Sequence, residues 1–552
     1  MESVFFIIWK DMRTCIFVFI FLTYLILLVA AQSKRPAFQQ LHKEKIKKPN
    51  ISKNISICDQ QACWKLGQDI KQSMNRKVNP CDNFYEFVCG NWKNRFPDIA
   101  TKPFFNRIER AKNAINLQLK EIIEEQPRNE IRSLKKAKVW HKMCIDDETL
   151  KRIGVEPIKT TLQKLRGWPT IFPHWVYHDW QDINDYYTTL RSGSSSFFNI
   201  QAMSDPEHEA EKLILKLTPP KFLIPEYVLL DFTTHEQEIG AYDDFFRTVV
   251  DTFLQSSNIH VDQEVITTDL IEMMTLEMQL TQIANRERPV VSHSRTMRMT
   301  IIELQRRYDQ ANDKNNPKTQ INWLNVFQNV LDLVGIVIDP LEEVYVTDID
   351  YFENLAYILK NATERAIVNH IHWQFVVRWI HYTTPVLREL LQQFKKEMFS
   401  VANDVPRWLS CIKSNPYDRA IIYEFLRRHV PDVNKDLLLH ILANVRSALD
   451  QQISNAVWMD KRSKDASRAK LMSMTAMFEG PSMYRNSIEI DKFYDSFLIA
   501  FDDFFQNIKN QKRDSFATTL KMNGFERLEN EIWVNMLDIN AVYHLVPNVL
   551  CK

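Results

Sequence analysis

Between residue 58 and about residue 478 the apolar positions recur mostly at three- and four-residue intervals, the period of a helix with one buried face. Met273, Leu276, Leu280, Ile283 and Ala284 fall on one such face, and Asp269 with Glu272 is expected to open that helix. Leu438, Ile441, Leu442, Val445 and Leu449 repeat the pattern. Leu117, Leu119, Ile122 and Ile123 do so less cleanly. A short β-prone run, Lys-Leu-Ile-Leu-Lys-Leu, occupies 212–217. The turn-rich Glu479-Gly480-Pro481-Ser482 marks a boundary, after which a phenylalanine-rich helix is expected over 493–505 and then a short end. No internal repeat or low-complexity tract is visible. Glycine is scarce, at 9 of 552 residues, so positive-φ turns are few and the expected fold is mainly α.

One stretch breaks the pattern by being apolar throughout. Residues 15–31 run for 17 positions without a charge, short for a membrane span and long for a signal-peptide core. A signal-anchor over 14–31 is expected, with 1–13 cytosolic; the alternative is a signal peptide cleaved after Val29-Ala30-Ala31. The basic residues Lys34, Arg35, Lys43, Lys45, Lys47 and Lys48 that follow would hold the C-terminal side in the cytosol. Three glycosylation sequons, at Asn50, Asn54 and Asn361, argue the other way, and so does the cysteine distribution. The bulk of the chain is therefore expected outside the cell, as a single-pass type II plasma-membrane protein or as a secreted one. Residues 32–56, polar and basic, read as a stalk.

Net charge is +1, which gives no electrostatic case for nucleic acid. No His-Glu-x-x-His, G-x-S-x-G, P-loop or dinucleotide turn occurs. His174 and His178 have helical zinc-pair spacing, but Pro173 precedes them and no general-base glutamate is in place. His370 and His372 have strand-like spacing in a helical stretch, so one is expected buried and one exposed. His208-Glu209 and His235-Glu236 each lack a second histidine. Met472, Met474 and Met477 read as core filler, and Asp502-Asp503 as a solvated face. The residues alone define no active site.

The cysteines carry the remaining signal. Outside 14–31 they are Cys58, Cys63, Cys81, Cys89, Cys144, Cys411 and Cys551, an odd number. Cys81 and Cys89 frame an aromatic run expected to join a core. The segment Pro80-Cys81-Asp82-Asn83-Phe84-Tyr85 through Cys89-Gly90-Asn91-Trp92 resembles the N-terminal signature of the neprilysin and endothelin-converting-enzyme family of zinc metalloendopeptidases, usually type II membrane proteins. The resemblance continues through 138–144, Gly154, Pro157, Gly167-Trp168-Pro169, Arg407-Trp408-Leu409-Ser410-Cys411, Trp458-Met459-Asp460, Ala469 and Lys470. It ends at Asn540-Ala541-Val542-Tyr543, which is similar to the family's Asn-Ala-x-Tyr edge strand.

That resemblance implies a large multi-helix N-terminal domain over 57–478, then the start of a catalytic domain over 479–552. It implies disulfides Cys58–Cys63 and Cys144–Cys411. The second closes a loop of roughly 270 residues (411 minus 144), worth about 4–5 kcal/mol on the chain-entropy model. In the family Cys81 and Cys89 bond to cysteines further along than Lys552, and the zinc ligands lie there too. Cys81, Cys89 and Cys551 are therefore expected to lack partners and to favour a disulfide-linked dimer. No cofactor is expected in this chain, zinc being the family's. Asn540 and Ala541 are the residues expected to meet a substrate backbone by strand addition. An ungapped count puts Phe104 where the family has a substrate-contacting arginine, with Lys102 the nearest basic residue and Glu109 in the place of its acidic partner. The resemblance thus implies a catalytically inactive, peptide- or protein-binding or decoy protein. The alternatives are an incomplete sequence of an active zinc endopeptidase, or an unstable remnant without a role.

Overall fold

The computed structural model describes residues 61–96, 106–126, 129–177, 179–190, 193–205, 213–285, 296–311, 316–399, 405–430, 433–477 and 482–522, with shorter stretches at 207, 537, 539–544 and 548–551. The expected membrane segment 14–31, the stalk, Asn50, Asn54, Cys58, Lys102, Phe104, His178, His208 and Glu209 lie outside these residues. No helix among the described residues is long and apolar enough to cross a membrane. The chain divides into two compact units, 1–101 and 102–552.

In the first unit three helices, Gln61–Ser73, Phe84–Cys89 and Trp92–Arg95, are tied by polar bonds. Asn83 caps the second by accepting from the Glu86 amide at 2.9 Å, and the Asn75 amide donates to the Phe87 carbonyl at 2.8 Å. Arg95 pairs with Asp69 at 2.5 Å and donates to its carbonyl at 2.8 Å. The aromatic run does not join a core as expected: Phe84 and Tyr85 are 68% and 76% exposed. Caps and backbone bonds, rather than ring burial, hold this short helix. Gly90 is required here, because a Cβ would fall 2.4 Å from the Glu86 carbonyl oxygen.

The second unit is mainly helical, with a four-stranded mixed sheet inside it. Its strands are β1 (Asn199–Ser204), β2 (Leu213–Thr218), β3 (Thr296–Thr300) and β4 (Glu343–Thr347), in the order β1-β2-β4-β3. β2 pairs antiparallel with β1 and parallel with β4, and β3 pairs antiparallel with β4. β2 is the β-prone run, and it buries Ile214, Leu215 and Leu217.

The main core forms around helix Glu364–Trp379, which is buried on all sides from Ala366 to Val377. A helix without a polar face has to sit inside other elements, and it packs on helix Gln263–Ala284. Trp168 and Trp373, both fully buried, stack at 6.0 Å. A second core gathers Leu119, Ile122 and Ile123 with Tyr417, Ile421 and Phe425, and with Tyr484, Ile490, Tyr494 and Phe497. Residues on both sides of positions 479–482 thus share one core. Cys144 and Cys411 form a buried disulfide, Cα to Cα 5.8 Å, joining helix Arg132–Ile145 to helix Arg407–Lys413.

Several expectations are corrected. Helix Gln263–Ala284 opens six residues before Asp269, with Asp262 as its cap. Asp269 is instead buried within it and pairs with Arg365 at 2.6 Å. No helix spans 493–505: Ser487–Phe493 ends there and Phe504–Lys521 begins, with Phe497 filling the second core between them. In helix Val433–Asn455 only Leu442 of the expected face is buried, while Ile441 and Val445 are 51% and 58% exposed. Periodicity reports an apolar stripe but not what covers it. Leu117 likewise points outward, at 62% exposed.

Candidate functional site

The C-terminal residues build a small sheet. β5 (Thr475–Met477), β6 (Val542–His544) and β7 (Val549–Cys551) lie in the order β5-β7-β6. β7 runs parallel to β5, with Thr475 opposite Val549, and antiparallel to β6, with Tyr543 opposite Leu550. β6 is therefore an edge strand, paired on one side among the described residues. Asn548, in left-handed backbone at φ 52°, anchors the sheet: its Nδ2 donates to the Lys470 carbonyl at 3.0 Å and to Ser473 Oγ at 2.9 Å. Asn tolerates this conformation better than most residues. Its Oδ1 accepts from Tyr543 Oη at 2.7 Å, which holds β6 to the helix Lys461–Ser473 end.

Asn540 and Ala541 immediately precede β6 and both are exposed. Asn540 Oδ1 accepts from the Ala541 amide at 2.9 Å. An edge strand with exposed side chains offers unpaired backbone groups to an extended segment.

Among the described residues the histidines make no metal centre. Both His370 and His372 are fully buried, which corrects the expectation that one is exposed. Two positions apart on a helix they point to different sides, and this helix is buried on every side. His370 Nδ1 meets Glu277 Oε1 at 3.1 Å and its Nε2 meets the Ser196 carbonyl at 3.1 Å. His372 Nδ1 meets Tyr187 Oη at 2.9 Å, and burial pushes its pKa down to about 3. His174 is exposed in a loop, and His235 precedes helix Glu236–Ser257 with Glu238 at 3.5 Å. Glu109 lies in the first turn of helix Arg107–Glu124 and pairs with Lys112 at 3.3 Å. Among the described residues no three His, Cys, Asp or Glu side chains are grouped to hold a metal. The residues described do not fit a zinc ion.

Of the remaining expected site residues, Cys63 is disulfide-bonded. Cys81 and Cys89 are free thiols, the first exposed and the second half-buried. Asn361 is exposed at the end of helix Ile349–Asn361. Sequence reasoning missed the Glu277–His370 pair, because nothing in the spacing of residues 277 and 370 signals that they meet.

The family of this mainly helical chain is shown by comparison with known proteins. The model of Peptidase family M13 matches residues 80–481, and the chain belongs to that family. It is 23% identical over 504 residues to mouse "Membrane metallo-endopeptidase-like 1", covering 88% of this chain and 64% of that protein. It is 21% identical to human neprilysin, covering 88% of this chain and 66% of that protein. The chain thus spans about two thirds of the length of these relatives. Among solved structures it resembles Mycobacterium tuberculosis zinc metalloprotease ZMP1 in complex with an inhibitor, with a TM-score of 0.64 and 15% identity, covering 87% of this chain and 68% of that one. It also resembles PepO from Lactobacillus rhamnosis, with a TM-score of 0.62 and 14% identity, covering 86% and 71%.

Proposed function

We propose that this chain is the peptide-binding part of a neprilysin-like protein exposed outside the cell, and that its 552 residues bind peptides without cleaving them. The observation that carries the reading is the edge strand β6, preceded by the exposed pair Asn540 and Ala541, in a chain of Peptidase family M13. An extended peptide would pair with the backbone of this edge, and side chains on alternate positions would set its preference. Hydrolysis in the family depends on zinc. The 552 residues contain no His-Glu-x-x-His, so they do not supply that centre by themselves. A role as binder or decoy follows. We place the chain at the plasma membrane through 14–31 or in secretion, glycosylated at Asn50, Asn54 and Asn361.

The test is calorimetric titration of the full chain with a short apolar peptide, and with the same peptide N-methylated on alternate backbone nitrogens. The parent peptide binds and the methylated one does not. Zinc content is measured alongside. Chelator-sensitive hydrolysis by this chain overturns the non-catalytic part. A second reading, that the sequence belongs to an active zinc endopeptidase, is favoured by the printed name of the mouse relative, "Membrane metallo-endopeptidase-like 1". Reading the transcript for an in-frame His-Glu-x-x-His after Lys552 decides it.

A further inference from the structure

Helices Trp180–Leu190 and Trp323–Leu331 pack against each other, and a seam between two helices is ordinarily apolar. Part of this seam is polar instead. On the first helix Gln181, Asp182 and Asp185 recur at the three- and four-residue spacing of one face. Asn322, which caps the second helix, is followed at the same spacings by Asn325 and Asn329. The two polar stripes line a chamber of about 240 Å³. Phe198 and Val326, both buried, give it an apolar wall.

Every charged residue that lines this chamber is acidic. Asp185 is half-buried in it, and Asp182 is exposed at its edge. Asn329 Nδ2 donates to Asp185 Oδ2 at 2.8 Å, but a carboxamide cancels no charge. Among the described residues neither carboxylate forms an ion pair. Burial pushes the Asp185 carboxyl up against the Asn329 bond; Asp182 and Asp179 push it further, and Asn184 holds it back. A half-buried carboxylate without a counter-charge costs stability, and groups of this kind concentrate at sites that use them. The chamber has room for the missing charge on an organic molecule. A bare metal ion would leave most of it empty, since one water fills only about 30 Å³.

We propose that the chamber binds a small organic cation, an ammonium or guanidinium group on a short apolar chain. The charged head meets Asp185, with carboxamide oxygens of the facing stripe as further acceptors. The chain lies against Phe198 and Val326. The cation arrives as a free amine or guanidine, or as the lysine or arginine side chain of a bound peptide. The peptide source alone rests on the peptide-binding reading above.

The probes are butylguanidine and its uncharged isostere butylurea, titrated by calorimetry into the full chain at constant ionic strength. Butylguanidine binds about tenfold more tightly than butylurea, or better. Asp185→Asn keeps the side-chain shape and binds butylguanidine about tenfold more weakly. Asp182→Asn, at the exposed edge, weakens it only about threefold. Circular dichroism checks that both variants are folded. Butylurea binding as tightly as butylguanidine overturns the site, and so does parent affinity in Asp185→Asn. Equal losses in the two variants mark a general acidic surface and overturn the chamber as well. A blocked pentapeptide with one central arginine, compared with its citrulline version, distinguishes the sources. A preference for arginine that Asp185→Asn removes assigns a peptide side chain. Butylguanidine binding without that preference assigns a free cation. Binding of the apolar peptide at β6 is unchanged by these variants, so either reading can fail without the other.

Discussion

His370 and Glu277 meet with no part of either side chain exposed, Nδ1 to Oε1 at 3.1 Å, and they join the two central helices of the protein. His370 Nε2 faces a carbonyl, which only accepts, so that nitrogen carries a hydrogen. Gln374 Nε2 donates to the same glutamate oxygen at 2.8 Å. Removing one partner leaves the other buried with one hydrogen bond fewer and an empty space beside it. His370→Ala is expected to destabilise the protein by about 3–5 kcal/mol. Glu277→Gln keeps the shape and an acceptor, and is expected to cost about 1–2 kcal/mol. Urea titration of both variants measures the difference, and equal losses would contradict this account.

This pair also marks the limit of what the chain discloses before folding. Helical periodicity identifies Met273, Leu276, Leu280 and Ile283 as a buried face, and all four are buried. Residues 213–217 of the β-prone run lie in β2 because their isoleucine and leucine side chains suit a sheet. Local signals of this kind lie within one element. The sheet order β1-β2-β4-β3 and the meeting of residues 277 and 370 depend on contacts between elements far apart in sequence, which no local pattern encodes. Helix 493–505 failed for a related reason: phenylalanine density signals burial, and Phe497 is buried, but in a link between helices. The Cys144–Cys411 bond was legible only through family resemblance, since spacing alone leaves many pairings open.

Cys144 and Cys411 are 267 residues apart and fully buried. Cys144→Ser with Cys411→Ser is expected to lose about 2–5 kcal/mol, mainly by freeing the unfolded chain. At about 1 °C per kcal/mol for a chain of this size, the melting temperature drops by a few degrees. Reducing the parent with dithiothreitol gives the same drop once the protein has unfolded and reannealed. If the reduced parent and the variant melt at the untreated temperature, the bond contributes nothing.

Asp185 gives a pH signature. Burial, helped by Asp182 and Asp179 and opposed by the bond from Asn329 Nδ2 at 2.8 Å, raises its pKa to about 6. The folded carboxyl therefore holds its proton more tightly than the unfolded one. Below about pH 4 both states are protonated and no cost arises. As pH rises from about 4 to 6 the unfolded state ionises first, and above 6 the folded state carries a partly buried charge. Stability is lost across that window. Asp185→Asn is expected to match the parent at pH 4 and to exceed it by about 1–2 kcal/mol at pH 7.5, allowing for partial exposure. Denaturant midpoints at the two pH values test this, and a variant less stable than the parent at pH 7.5 contradicts it.

Cys81 is exposed and Cys89 half-buried, both as free thiols. In an oxidising compartment an exposed thiol is the one that meets another molecule first. Non-reducing electrophoresis of secreted protein is expected to show a dimer that Cys81→Ser abolishes and Cys89→Ser only weakens. A monomer with both thiols reactive to maleimide would count against it.

Asn540 separates binding from folding. Its side chain is exposed, and its one side-chain bond is the local one to the Ala541 amide. Surface changes of this kind shift stability by about 0.5 kcal/mol or less. Asn540→Ala is therefore expected to leave the melting temperature nearly unchanged. If peptides add to β6, the same change removes a polar partner beside the edge and weakens the apolar peptide by about tenfold, one good hydrogen bond. Ala541→Pro goes further, since proline removes the amide hydrogen next to the strand and fixes φ, and it is expected to abolish binding, with circular dichroism checking that the fold stays intact. Calorimetry with the apolar peptide reads both. Unchanged affinity in Ala541→Pro, with the fold intact, would show that the peptide does not use this edge.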